Sequence, residues 1–330
     1  MTRATGMGSW PGSDIREALR EVRGQLADDE LGLPYLPELP ARGPGADMVG
    51  RAAGLLVEMP VDLQPAGWRL VDRAGRDAQR TAALWQRDLD ELAEAFDGYQ
   101  GDLKVQVAGP WTLAAALELT RGEKAVVDAG AARDLTASLA EGVRVHLDEV
   151  QRLVPGAQVI LQLDEPSLPA VLAGSLPTAS GYGHIRAVDP QAAATGIRTV
   201  LEAAGTRATV VHCCHPGIPL PLLRTTGVGA VAMDTTALSP ARWESVATTV
   251  EEGIGLYAGC LPTDGSGTSR AAWQQLKEGW QRTGLALSGL DEIVVSPACG
   301  LASLTPEGAR SVQGAALATA RALTDEARSS

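Results

Sequence analysis

Two hydrophobic periodicities alternate along the chain. Short apolar runs, among them DLKVQVA at 102–108, AQVILQL at 157–163, VGAVAM at 228–233 and EIVV at 292–295, read as strands buried on both faces. Further strands are expected at 4–10, 207–211 and 254–258. Between them lie stretches whose apolar residues return at helical spacing. These predict helices from Ser13 or Asp14 as N-cap to about Leu26, at 77–95, 131–153, 190–204, 240–251 and 269–282, and from a Thr305 cap to about 327. Shorter helices are expected at 47–57, from 110 to about 119, and at 220–225. LPYLPELP at 33–40 is proline-rich and reads as a short strand or an extended loop. Pro60, Pro65 and Gly67 mark 58–74 as an irregular excursion of hairpin type.

Strand–helix alternation with uniformly apolar strands is the pattern of a parallel sheet covered by helices, the α/β class. With the N-terminal pair the strands number about eight, which favours one (β/α)8 TIM barrel over residues 1–330. An open doubly wound sheet is the other arrangement of this class. It would want a G-x-G-x-x-G loop after a strand to hold a dinucleotide, and the chain has none. Neither a short-period repeat nor an interdomain linker is evident.

Composition narrows the partners. The chain has 330 residues and a formal charge of −12, with no block of Lys and Arg, so no nucleic-acid surface is expected. No apolar run approaches the ~20 residues of a membrane span, so no membrane partner is expected either. Four cysteines in a chain of this size do not make a disulfide scaffold, which points to a reducing compartment. The opening MTRATGMGSWPGSD lacks the apolar region of a signal peptide, and a cytoplasmic location is expected.

Candidate chemistry sits at the C-terminal strand ends. In TVVHCCH at 209–215, alternation along a strand puts His212 and Cys214 on one face and Cys213 and His215 on the other. In a barrel these ends form one rim, which gathers Ser9, Asp164, His212, Cys214, Asp234, Cys260 and Cys299 around one centre. His212, Cys214 and Cys299 supply a nitrogen and two sulfurs, and Asp234 could add an oxygen, a set that suits tetrahedral zinc. Each residue also has a plainer reading. The cysteines could be core packing or, for Cys299 before Gly300, a small residue in a tight turn. Asp234 could cap the next helix, Asp164-Glu165-Pro166 could be a solvated loop, Cys260 could be an unliganded thiol, and His215 could be a loop residue. His146 and His184 have no informative context.

Ordered matches along the whole chain resemble the C-terminal catalytic domain of cobalamin-independent methionine synthase. Gly8-Ser9-Trp10-Pro11 is similar to the family's G-S-F-P, Asp47-Met48-Val49 to its D-M-V, and Gly109-Pro110-Trp111-Thr112 to its G-P-x-T. The run from Gln162 to Leu168 is similar to Q-x-D-E-P-A-L, His212-Cys213-Cys214 to H-x-C, and Cys299-Gly300-Leu301 to C-G-L. That family shares a superfamily of (β/α)8 barrels with uroporphyrinogen decarboxylase and corrinoid-dependent methyltransferases.

The resemblance implies Zn2+ held by His212, Cys214 and Cys299, with Asp234 at the position of the family's glutamate ligand. It implies that Ser9 and Asp164, with the adjoining Glu165, bind the amino-acid part of a homocysteine-like thiol. It also implies methyl transfer to that thiol from a methyl-folate or, as in short single-barrel relatives, a methyl-corrinoid protein. Cys260 stands where the histidine of the family's D-I-H-S-P segment transfers a proton, which makes it the candidate acid. The chain departs from the family in three further places. Pro40–Ala46 offers no acidic counterpart to the G-E-P-E-R glutamate, and Arg42 falls near that position. Leu113–Leu117 reads LAAAL in place of a folate-contacting tryptophan. The chain also has room for only one of the family's two barrels. The alternative reading is a non-catalytic or regulatory zinc-binding barrel.

Overall fold

A computed structural model describes residues 1–329. Seven parallel strands form one curled sheet in the order β1 (Arg3–Ala4), β9 (Val294–Pro297), β8 (Gly255–Leu261), β7 (Ala230–Asp234), β6 (Thr209–Cys213), β5 (Ala157–Asp164) and β4 (Gly101–Ala108). The proline-rich run at 33–39 closes the ring. Leu33 N–H donates to Ala4 O at 2.8 Å on one side, and Lys104 N–H donates to Pro34 O at 2.9 Å on the other. Its prolines remove the amide hydrogens that a regular ladder needs, so the segment pairs through isolated bridges. The intervening β2 (Val61–Gln64) and β3 (Gly67–Leu70) make the hairpin expected within 58–74.

Helices cover the outside: α1 (Ile15–Val22), α2 (Met48–Ala53), α3 (Arg76–Ala95), α4 (Pro110–Ala116), α5 (Ala129–Leu153), α6 (Leu168–Ala173), α7 (Pro190–Glu202), α8 (Leu220–Leu223), α9 (Pro240–Glu251), α10 (Ser269–Arg282) and α11 (Pro306–Ser329). Their starts follow local chemistry. Asp14, Asp47, Asp128, Asp189, Ser239 and Thr268 each accept from backbone amides of the first turn. The fold is the α/β barrel that the pattern predicts. The main local difference is at 4–10, where regular pairing stops at Ala4. Gly8 adopts φ +125°, a conformation that side chains rarely tolerate, and any Cβ there would strike the Gln106 side chain.

Strand alternation divides the side chains into two sets. Leu161 and Leu163 of β5, Val211 and Cys213 of β6, Val231 and Met233 of β7, and Leu256, Ala258 and Cys260 of β8 pack outward into the main core beneath the helices. Ile160, Val210, Ala232, Tyr257 and Val294 face inward and make a small apolar plug inside the ring. One step further along each strand, the inward residues turn polar: Gln162 and Asp164 after Ile160, His212 after Val210, and Ser296 after Val294. The barrel is thus sealed at one level and chemically equipped above it.

A buried ion network fixes the α2 side of the ring. Asp88 of α3, fully buried, accepts two bonds from Arg42 at 2.6 and 2.7 Å and another from Arg51. Arg51 lies over the Trp85 ring at 3.8 Å and faces Glu38 at 3.6 Å. Removing one member of a buried network strands the others without solvent. Asp88→Ala should therefore cost roughly 3–5 kcal/mol, read as a lowered urea midpoint. A loss under about 1 kcal/mol would show that the two arginines find other partners.

Candidate metal centre

Parallel register builds the site. Asp164 ends β5 directly opposite His212 of β6, and Ala108 of β4 lies opposite Asp164 on its other side. His212 Nδ1 meets Asp164 Oδ1 at 2.8 Å, both side chains about 8% exposed. A carboxylate only accepts, so Nδ1 carries a hydrogen, and in the neutral ring Nε2 is the nitrogen with the lone pair. Nε2 is buried and has no hydrogen-bond partner among the described residues. A metal ligand whose other ring nitrogen is held by a carboxylate has this arrangement.

Two thiols complete the group. Cys214 follows β6 and keeps the inward parity of His212, while Cys299 follows β9. Their sulfurs are 2.9 Å apart, and the ligand atoms of His212, Cys214 and Cys299 all lie within 4.8 Å of one another. The close contact of the two sulfurs holds the Cys299 thiol down to about 6 and pushes Cys214 up. The contact favours the thiolate form on Cys299, the form in which cysteine ligates metals. An unpartnered imidazole nitrogen and two converging thiols fit a metal of zinc-like softness.

Ser9 is carried to the same rim. Its carbonyl accepts from Leu301 N–H at 2.9 Å, and its hydroxyl fills the space that a Cβ at residue 300 would need. The C-G-L turn therefore requires Gly300 next to Cys299. Asp164 Oδ1 also accepts from Gln162 Nε2 at 2.8 Å, while its Oδ2 takes no hydrogen bond among the described residues.

Three expectations take a different form. Asp234 has the inward parity, but its Oδ1 accepts from Thr236 N–H at 2.8 Å and Thr236 Oγ1–H at 2.6 Å, and it stands outside the three-residue group. A short aspartate side chain bonded to its own turn stays with that turn. Cys260 shares the outward face of Leu256 and Ala258, is 2% exposed, and has its thiol pushed up to about 12 by burial. Cys260 thus packs as a buried thiol of the main core, beside a register irregularity between Gly259 and Leu261. Glu165, fully buried, turns to α4: Oε1 accepts from Trp111 N–H at 2.9 Å and Oε2 from Thr112 N–H and Oγ1–H at 2.8 and 2.7 Å. It is a clamp between β5 and α4, with both oxygens engaged by donors of α4. His215 accepts from Gly217 N–H in an exposed turn, and His146 packs against Trp85.

Glu38 joins the site without having stood out in the sequence. It ends the ring-closing segment, is 5% exposed, and is pushed up to about 7 by burial and by Asp164, against the pull of Arg51. A signal was present: Glu38 is the one acid in LPYLPELP, an otherwise uncharged run. Arg42, near the position of the missing family glutamate, instead pairs with Asp88.

The family model described as "Cobalamin-independent synthase, Catalytic domain" matches residues 1–322. A B12-independent methionine synthase from Shewanella sp. W3-18-1, solved in complex with selenomethionine, superposes with a TM-score of 0.66 at 12% identity, covering 100% of both chains. The carboxyl transferase domain of Rhizobium etli pyruvate carboxylase overlaps at a TM-score of 0.26 and 13% identity, covering 68% of this chain and 41% of that one, too distant to inform this chain. No curated protein matches by sequence.

Burial raises the Glu165 carboxyl to about 7 although three donors favour its charged form. The folded chain then keeps a proton that the unfolded chain loses near pH 4.5, so this contribution is present at low pH and is lost as pH rises through about 7. Between about pH 5 and 7.5 the parent should lose about 2–3 kcal/mol more stability than Glu165→Gln in urea unfolding. Equal losses would mean that Glu165 titrates as an ordinary carboxyl. Cys260→Ala should leave metal affinity unchanged; a loss of about tenfold, or 1.4 kcal/mol, would return Cys260 to the site.

Proposed function

The chain belongs to the cobalamin-independent synthase catalytic-domain family, and from that premise we propose that it is a zinc-dependent S-methyltransferase. The acceptor is a homocysteine-like thiol, and the donor is a methyl-folate or a methyl-corrinoid protein. The observation that carries the reading is the convergence of His212, Cys214 and Cys299, with Nε2 of His212 left without a partner among the described residues. The superposed methionine synthase was solved with selenomethionine, an analogue of the product this reaction would give.

His212, Cys214 and Cys299 would hold the zinc. The chemistry zinc supplies when bound is to keep a substrate thiol deprotonated at neutral pH, where a free thiol of pKa about 8.5 is mostly protonated and a poor nucleophile. The chain's own residues do the remaining work. Asp164 orients His212 through Oδ1 and offers Oδ2 to the ammonium of the amino acid. Ser9, beside Cys299 and Gly300, offers a hydroxyl to the substrate carboxylate. Glu38 adds a second acidic group on the same side, within electrostatic reach of Asp164. The cationic end of an amino acid is thus drawn toward the acids while its thiol reaches the sulfurs. Cys260 points into the core, so the acid that assists the leaving group comes from the donor side or from solvent.

The test is zinc per chain in protein purified under reducing conditions, followed by methyl transfer to homocysteine from each donor class. One zinc in the parent, little in Cys299→Ser, and methionine formed with one donor are the expected results. No zinc in reconstituted parent would overturn the reading. Stoichiometric zinc without transfer from any donor would favour the non-catalytic zinc-binding barrel.

A further inference from the structure

One charged group inside the barrel has no part in methyl transfer as proposed. Lys104 of β4 is fully buried. Its Nζ donates to Gln162 Oε1 at 2.6 Å and lies 5.2 Å from the centre of the Tyr35 ring. The amide nitrogen of Gln162 donates to Met7 O at 3.0 Å and to Asp164 Oδ1 at 2.8 Å. Asp164 Oδ1 in turn holds His212 Nδ1 at 2.8 Å. Four side chains from three neighbouring strands thus run in line from a buried cation to a metal-binding imidazole.

The order of donors and acceptors makes this line directional. A glutamine amide has almost the same shape either way round, so only its partners decide its orientation. Lys104 can only donate; Met7 O and the Asp164 carboxylate can only accept. One orientation satisfies all three, with Oε1 toward Lys104 and both N–H groups toward the acceptors. The reverse would set N–H groups against an ammonium and an oxygen against a carboxylate, at a site buried from solvent.

We infer that Lys104 is a positioning residue: it locks the Gln162 amide, which holds Asp164 in the orientation that keeps the His212 ring hydrogen on Nδ1 and leaves Nε2 free. Burial draws the Lys104 ammonium down to about 8, but Asp164 and Glu38 support its charge, and it stays mostly protonated at neutral pH. Without that cation, Gln162 Oε1 is left buried with no donor, and only Met7 O and Asp164 still hold the amide, so its grip on Asp164 loosens. His212 can then exchange its ring hydrogen between nitrogens, which removes the free Nε2 part of the time. The consequence for the metal rests on the zinc reading above; the lock itself is a property of the metal-free protein.

Two substitutions test it. Lys104→Met keeps the stem and removes the cation. Gln162→Glu keeps an acceptor for Lys104 and removes both N–H donors. Thermal melting confirms that each chain is folded, chelator competition gives the zinc dissociation constant, and 15N NMR of metal-free protein reads the His212 tautomer. Both variants should bind zinc roughly 10–100-fold more weakly and show a His212 ring no longer confined to the Nδ1–H form. Should Lys104→Met melt early, Gln162→Glu carries the test alone. A folded Gln162→Glu variant with the parent's tautomer and zinc affinity would overturn the lock. A parent that binds no zinc, yet shows the tautomer change in the variants, would overturn the zinc reading and leave the lock standing.

Discussion

The parallel register that sets Asp164 beside His212 is the constraint on which the site depends. Side chains alternate along a strand, so a slip of one residue between β5 and β6 would send His212 into the helix layer and bring Cys213 to the rim. The outward residues of the same strands prevent such a slip. Leu161, Leu163 and Val211 are fully buried under the helices and have no polar alternative to exchange with. The apolar core therefore fixes the geometry of a polar cluster that it does not touch.

The barrel interior concentrates charge above its apolar plug. Glu38, Lys104, Asp164 and Arg51 are all buried, yet each faces an opposite charge or a hydrogen-bond donor. Buried charges persist only when they are paired and hydrogen-bonded. Here the pairing is shared among five elements: the ring-closing segment, α2, α3, β4 and β5. This ties the floor of the site to several elements at once, while Oδ2 of Asp164 and Nε2 of His212 have no hydrogen-bond partner among the described residues.

Helix and strand positions are largely legible in the sequence because each reports a local cause. Asp14, Asp47 and Thr268 cap where a short polar side chain precedes an amphipathic run, and the strands are apolar because both of their faces are covered. The proline-rich run at 33–39 is ambiguous for an equally local reason. Its prolines deny it a regular ladder, and only the open edges of β1 and β4 turn it into the closing strand.

By itself the sequence determined the α/β barrel, its family, and the trio of His212, Cys214 and Cys299, because residue type, strand parity and position at a strand end are all written in one dimension. The tertiary structure decided what each remaining polar group faces. Cys260 and Asp164 both sit near strand ends, but parity within the folded ring sends one outward to the core and the other inward to His212. Glu165 is adjacent to Asp164 in sequence and opposite to it in use, since the amides of Trp111 and Thr112 claim both of its oxygens. Glu38 and Lys104 became part of the site floor only when strands far apart in the chain closed into a ring. Partners that lie across a barrel are set by packing and hydrogen-bond satisfaction in three dimensions, and no local pattern records them.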